Sequence, residues 1–146
     1  MTTGLRQRIE RQVPADCGCY LLLMRGARPQ RLWVGALGTM ALSPGWLVYV
    51  GSACGPGGLR ARLARHARRR KPRRWHIDWL RERVALQAVY WRRGWRDESA
   101  WARRLAALPG ATAPLPGFGA SDDPGQTHLW HFPSRPALDW AGHCVE

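Results

Sequence analysis

Apolar positions along the chain fall into short runs that turn-forming residues separate. Residues 17–24 form one such run, with the length and composition of a buried strand, and residues 31–34 are a weaker candidate. After the turn formers at 43–45, residues 46–51 alternate between two faces, as expected of a further strand. The three runs together predict a meander.

Helical spacing replaces this pattern after a glycine-rich segment at residues 55–58. Leu59, Leu63 and Ala67 recur at helical intervals and predict a helix that begins near Leu59. Pro72 ends this helix, because proline is excluded from a helix interior and pushes the preceding residue toward extended geometry.

The second half of the chain continues the alternation of helices and strands. A short helix is predicted to bury Ile77, Leu80 and Val84. The elements predicted after it are a strand at 84–91, a helix at 98–108 with Asp97 as its N-cap, a loop at 109–124 and a short strand at 128–132.

This order of elements predicts an α/β fold, with a small antiparallel or mixed sheet of about three strands or slightly more, flanked by helices. The length of 146 residues suits one domain. We expect that domain to span residues 17–133, after a polar N-terminal extension at 1–16 and before a C-terminal tail at 134–146.

The N-terminal residues are polar and lack the apolar core of a signal peptide, and no apolar run reaches the roughly 18 residues of a membrane span. These features predict a soluble, cytoplasmic protein. The cysteines are too few and too irregularly spaced for a disulfide framework, so we expect thiols. Structural zinc is the minor alternative. The cysteines are Cys17, Cys19, Cys54 and Cys144.

Net charge is the most informative feature of the composition, because the chain has 23 basic and ten acidic residues and a formal net charge of +13. The basic residues are densest between Arg60 and Arg74, and no acidic residue occurs from Cys17 to Ile77. Such a run is usually a solvated helix face, but its single sign here favours polyanions as partners. Arginine binds phosphate through a bidentate fork, so we expect salt-sensitive nucleic-acid binding.

Two tripeptides, Gly18-Cys19-Tyr20 and Tyr49-Val50-Gly51, resemble the paired strand motifs of the GIY-YIG nuclease superfamily. Either one alone is weak, but further segments follow in the same order. These are the segment 35–38, Gly51-Ser52-Ala53, the basic helix 59–66, the segment 75–80, the helix of Glu98, and the segments 117–122 and 127–129. The likeness is greatest to an uncharacterised branch that occurs alone or fused to DNA glycosylases of the endonuclease III type.

The resemblance implies hydrolysis of a phosphodiester bond by one divalent cation, Mg²⁺ or Mn²⁺. Glu98 matches the family's metal-binding glutamate, and a position in the first turn of a helix keeps its carboxylate ionised. Tyr49 matches the tyrosine beside the nucleophilic water, and Tyr20 matches its partner. If the two strands pair antiparallel, both phenols share one face with Gly18 and Gly51, whose missing side chains would leave room for a phosphate.

Arg62 matches the helical arginine that holds the scissile phosphate. The insertion at 55–58 leaves Arg60 as a rival assignment. His66, one turn beyond Arg62, matches a histidine that some members use near the nucleophile.

Further residues of the basic segment are predicted to bind nucleic acid, with DNA favoured over RNA. They are Arg60, Arg65, Arg69, Arg73, Arg74 and His76. The sequence leaves open whether His76 and Asp78 serve the site or anchor a helix, and whether Asp122, Asp123 and His128 approach the metal.

Two other classes of function compete with the nuclease. A non-catalytic nucleic-acid-binding module on the same scaffold would also need the positive surface, and a basic protein that docks on an acidic partner would explain the charge but not the order of the motifs.

Overall fold

Two sheets and four α-helices make up the part of the chain that a computed structural model describes, residues 4–95, 97–120 and 126–146. The helices are α1 (Leu5–Gln12), α2 (Gly58–Ala67), α3 (His76–Arg81) and α4 (Glu98–Ala106). The strands are β1 (Gly18–Gly26), β2 (Gln30–Trp33), β3 (Thr39–Leu42), β4 (Gly45–Ala53), β5 (Ala85–Arg93), β6 (Leu129–Phe132) and β7 (His143–Val145). Short 3₁₀ turns lie at Gly35–Leu37 and Asp139–Ala141.

The main sheet is antiparallel throughout and has the order β6-β4-β1-β5-β7. β1 lies at its centre because residues Gly18 to Met24 are buried on both faces, which only an inner strand permits. The predicted α/β class is therefore confirmed. Of the two predicted sheet types, antiparallel and mixed, the main sheet is antiparallel. The predicted meander is wrong, since β2 and β3 pair with each other as a separate sheet and leave β1 to pair with β4 and β5.

The sheet separates two apolar layers. Tyr20, Leu22 and Tyr49 face a layer formed with α1, α2, α3 and the β2–β3 hairpin. Leu21 and Val50, which point the other way, face a layer formed with α4 and the C-terminal segment. The alternation along β1 and β4 thus brings both tyrosines to one face, as the two motifs predicted.

Both ends of the described chain join this architecture. Ile9 of α1 and Val13 after it have no exposed surface and belong to the tyrosine-face core, within the stretch predicted as a polar extension. β7, within the predicted tail, pairs with β5 and lengthens the sheet. No helix in the described ranges is both long and apolar enough to cross a bilayer.

A disulfide joins Cys17 to Cys54, so the prediction of thiols is wrong for these two residues. The register of the sheet explains the pairing. Gly18 lies opposite Ala53, which makes Cys17 and Cys54 the next opposed pair, with 4.4 Å between their Cα atoms. This separation suits a disulfide, and because the cysteines are 37 positions apart in the sequence, their spacing alone does not reveal the pairing.

Candidate functional site

A cleft of about 200 Å³ opens on the tyrosine face of the sheet, between β1, β4 and the helices α2 and α4. The side chains that give it its chemistry are Tyr20, Tyr49, Ser52, Arg62, Trp75 and Glu98. Four of these, Tyr20, Tyr49, Arg62 and Glu98, are the residues predicted to act together, although 78 positions separate the first from the last. We refer to this cavity as the main cleft.

The hydroxyl of Tyr20 forms a buried hydrogen bond with the side chain of His66. The phenol oxygen lies 2.7 Å from Nε2 of His66, which has no exposed surface. Burial lowers the pKa of His66 to about 3, so the imidazole is neutral at physiological pH. His66 therefore does not line the main cleft as a charged group, and it acts on the cleft through its hydrogen bond to Tyr20 and its ring contacts with Tyr49 and Trp75.

The two motif glycines make room for protein atoms, while a role of Gly51, which also lines the main cleft, in admitting phosphate stays a prediction. A Cβ on Gly51 would collide with the phenol of Tyr20, its cross-strand partner. A Cβ on Gly18 would collide with the carbonyl of Arg92 on β5 and approach Leu59. Both glycines are thus required by packing that seats Tyr20 and α2 against the sheet.

Tyr49 faces the main cleft with only 8% of its surface exposed. Gly119 packs against the ring, and a Cβ there would lie 2.9 Å from Cε1 of Tyr49, at a φ of +73° that favours glycine. Burial, together with the charges of Tyr20 and Glu98, raises the pKa of Tyr49 well above its usual value, although Arg62 lowers it in part. Burial likewise raises the pKa of Tyr20, again opposed by Arg62.

Arg62, not Arg60, points into the main cleft. Its Nη1 donates to the carbonyl of Ser52 at 3.2 Å, and its guanidinium lies 4.3 Å from the centre of the Trp75 ring. Arg60 instead donates to the carbonyl of Val13, near the end of α1. Two residues on a helix differ by about 200° in direction, so only one of the rivals can face the cleft.

Glu98 reaches the main cleft from the opposite layer. It is the first residue of α4, where the side chain of Asp97 accepts a hydrogen bond from the Ala100 amide, as predicted for an N-cap. Ser52 Oγ donates to Oε1 of Glu98 at 3.2 Å, and Nδ1 of His128 lies 3.5 Å from Oε2. The Glu98 side chain stays 35% exposed, so the carboxylate remains open to solvent.

This arrangement fits a hard, hydrated cation. Mg²⁺ prefers oxygen ligands, keeps several waters and needs only one or two carboxylates from the protein. Glu98 supplies one carboxylate at the opening of the cleft, beside the hydroxyl of Ser52. Within residues 4–95, 97–120 and 126–146, no cluster of three or more His, Cys, Asp or Glu side chains could hold a metal. Glu98 is the carboxylate that lines the cleft among the described residues, and its role as a metal ligand stays a prediction.

Asp78 anchors a helix and does not enter the cleft. Its carboxylate accepts hydrogen bonds from the backbone amides of Arg74 and Trp75, at the start of α3, and from both terminal nitrogens of Arg65. Burial alone would raise the pKa of Asp78, but these hydrogen bonds lower it below its usual value. Of the two roles left open for Asp78, the structure therefore favours the anchor.

The residues predicted to bind nucleic acid do not form one surface of free cations. Asp78 neutralises Arg65, and Glu82 pairs with Arg73 at 2.8 Å. Arg69 lines a separate basic groove with Arg70 and Lys71. Arg74 and His76 border a smaller cavity beside the main cleft.

Several residues of the site were not singled out from the sequence. Trp75 packs against the guanidinium groups of Arg62 and Arg65, at 4.3 and 4.4 Å. Ser52 contacts Glu98, although it lies in a segment that carries the resemblance. His128, which the sequence left open as a neighbour of the metal, also lies close to Glu98. The sequence signal for Ser52 was its position directly after Gly51 of the second motif. Asp122 and Asp123 lie outside the described residues.

These features define a small α/β domain with a polar cleft that holds two phenols, one guanidinium and one open carboxylate. The chain belongs to the family described as "Domain of unknown function DUF123", whose model matches residues 19–143. Comparisons with curated proteins and with solved structures find no match.

Proposed function

We propose that this protein is a metal-dependent endonuclease that hydrolyses phosphodiester bonds in DNA, and that its family is a branch of the GIY-YIG superfamily. The observation that carries the proposal is that Tyr20, Tyr49, Arg62 and Glu98 line one cleft. Their order along the chain matches the superfamily motifs, and packing alone does not require an open carboxylate beside two phenols and a guanidinium.

Arg62 is the group that would hold the scissile phosphate. The Ser52 carbonyl and the Trp75 ring restrain its guanidinium, so its N–H donors are oriented before substrate arrives. A preorganised cation stabilises the charge that develops on the phosphoryl oxygens in the transition state. Bidentate geometry is available to arginine and not to lysine.

Tyr49 would accept the proton of the attacking water. Its raised pKa leaves it protonated at neutral pH, so it must lose a proton before it can act as a base. Arg62 opposes that rise in pKa and is the cation that favours the phenolate. Tyr20, which His66 fixes in place, would orient the water or the phosphate beside it.

Glu98 would hold the divalent cation, Mg²⁺ or Mn²⁺, with the Ser52 hydroxyl restraining the carboxylate and His128 close beside it. When bound, the cation would supply Lewis-acid stabilisation of the phosphate and a field that favours deprotonation nearby. Only one oxygen of Glu98 accepts a hydrogen bond from Ser52, so the carboxylate keeps capacity for a metal ligand bond.

The positive charge of the chain supports a nucleic acid as substrate, and DNA repair or processing is the setting that the resemblance suggests. A cytoplasmic location is part of the proposal. The Cys17–Cys54 disulfide is uncommon in that compartment. Thiol titration of protein extracted under alkylating conditions would show whether the cell keeps the pair oxidised.

Cleavage of single-stranded, duplex and branched DNA, with RNA for comparison, tests the function. With Mg²⁺ or Mn²⁺ we expect wild type to cleave at least one of these substrates and Glu98→Ala to lose about 100-fold or more of the rate. Glu10→Ala is the matched control, because Glu10 lies on α1 in an exposed ion pair with Arg6. Equal rates for wild type and Glu98→Ala would remove the assigned role.

A non-catalytic module that binds DNA or RNA is the second candidate. The raised pKa values of Tyr20 and Tyr49 favour it, since both phenols are protonated at neutral pH and can serve as hydrogen-bond donors without turnover. This candidate predicts salt-sensitive binding by wild type and Glu98→Ala alike, and no cleavage by either.

A further inference from the structure

A second cavity of about 120 Å³ adjoins the main cleft, and we refer to it as the flanking pocket. It is lined by Tyr49, Arg74, Trp75, His76 and Gly119. Three of these residues, Tyr49, Trp75 and Gly119, also line the main cleft. A ligand in the main cleft can therefore extend into the flanking pocket along a shared wall.

Arg74 gives the flanking pocket a positive charge that no carboxylate among the described residues pairs with. Its side chain is exposed and lies 5.7 Å from the centre of the Trp75 ring, and none of the ion pairs among the described residues involves it. The neighbouring Arg65 and Arg73 are both paired with carboxylates. Because none of the described residues that line the pocket carries a carboxylate, its field favours an anion.

His76 adds a neutral hydrogen-bond donor to the same pocket. Its Nδ1 accepts a hydrogen bond of 2.8 Å from the Gly119 amide, so the ring proton of the neutral imidazole resides on Nε2. Burial lowers the pKa of His76, which keeps the ring in this neutral form. The pocket thus combines one cation and one N–H donor, the groups that bind phosphate oxygens in nucleic-acid complexes.

We propose that the flanking pocket binds the phosphate next to the scissile one, so that a strand carrying this second phosphate binds more tightly than one without it. This inference rests on the proposed function, because the scissile phosphate defines the main cleft. Contacts to a non-reacting phosphate fix the register of the chain, and their binding energy positions the bond that is cleaved. The pocket would contact the sugar-phosphate backbone of the nucleic acid and not its bases, so it adds no base specificity.

The test compares ligands with one and with two phosphates by calorimetry in EDTA, where hydrolysis does not interfere. The one-phosphate ligand is a thymidine dinucleotide with a single phosphodiester, and the two-phosphate ligands carry an added 5′- or 3′-phosphate. The variant is Arg74→Gln. The matched control is Arg28→Gln, which removes an equally exposed charge beyond the end of β1 that lies away from Tyr20.

For wild type and Arg28→Gln, we expect one of the two added phosphates to strengthen binding about fivefold. For Arg74→Gln, the same phosphate should give less than about a twofold gain. The inference is overturned if Arg74→Gln gains as much as wild type, if Arg28→Gln loses the gain as well, or if neither phosphate strengthens binding to wild type.

Hydrolysis in Mg²⁺, measured in parallel, separates the two proposals. Cleavage of DNA without the Arg74-dependent gain would reject the flanking pocket alone. The gain without any cleavage would reject the nuclease and retain the pocket as a phosphate site of a binding module.

Discussion

One face of the central sheet buries Tyr20 and Tyr49 together with polar groups of α2 and α3, whereas the other face buries apolar side chains such as Leu21, Leu23 and Val50. The same strands, β1 and β4, contribute to both. A buried polar group destabilises the fold unless it has a hydrogen-bond partner, so the cleft face depends more on individual hydrogen bonds and the α4 face more on close packing. The difference predicts that substitutions on the two faces change different properties.

Replacement of Tyr49 by Phe should give the largest effect on the cleft face. Loss of the base is expected to lower the cleavage rate about 1000-fold with little change in the free energy of unfolding. Because the pKa of Tyr49 is raised, the reactive phenolate fraction of wild type should increase about tenfold per pH unit through neutral and moderately alkaline pH. Rates of wild type and Tyr49→Phe between pH 6 and pH 9 check both points. A wild-type profile that is flat, or that the variant shares, would contradict the role.

Replacement of Leu23 by Ala on the α4 face should lower the free energy of unfolding and leave the cleavage rate unchanged. Leu23 has no exposed surface, so the cavity is expected to cost about 3 kcal/mol of unfolding free energy. The cleavage rate per folded molecule should stay unchanged, since Leu23 points away from the main cleft. Urea denaturation and an assay at a temperature where the variant is folded measure the two quantities. A large fall in rate would show that the faces are coupled.

Replacement of Asp78 by Asn tests a polar anchor on the cleft face. The loss of charge opposite Arg65 should cost about 2 kcal/mol, because Arg65 is partly exposed and can regain water. The lowered pKa of Asp78 means that its carboxylate stabilises the folded state above its unfolded pKa of about 4, and that this contribution is lost as the pH falls through the folded pKa.

The measurement is the difference in unfolding free energy between wild type and Asp78→Asn at several pH values. It should be greatest near neutral pH and shrink in acid. A difference that does not depend on pH would show that the ionised carboxylate is not what anchors α3.

The sheet face of the candidate site could be predicted because the pattern is local. Alternation assigns Tyr20 and Tyr49 to one face as soon as β1 and β4 pair antiparallel, and Asp97 before Glu98 marks the start of α4. The resemblance added the connection between these separate segments. Physical pattern alone would have identified the strands without linking Glu98 to the phenols.

Other features depend on tertiary partners that no local pattern reveals. β7 has only three residues, too few for a periodic signal, whereas in α1 and directly after it the apolar residues Leu5, Ile9 and Val13 do recur at helical spacing among mostly charged and polar neighbours. The direction of Arg62 relative to Arg60 depends on where α2 begins, after Gly57 at a φ of +81°. The Cys17–Cys54 pairing likewise requires the exact strand register.

The central claim is that Glu98 holds a divalent cation within the cleft of the two phenols and Arg62. A crystal soaked with Mn²⁺ and measured for anomalous scattering tests it most directly, with a crystal of Glu98→Ala as control. We predict one peak bonded to a carboxylate oxygen of Glu98 and facing Tyr49, and no peak in the variant. No Mn²⁺ at Glu98 in wild type, or an unchanged peak in Glu98→Ala, would contradict the account.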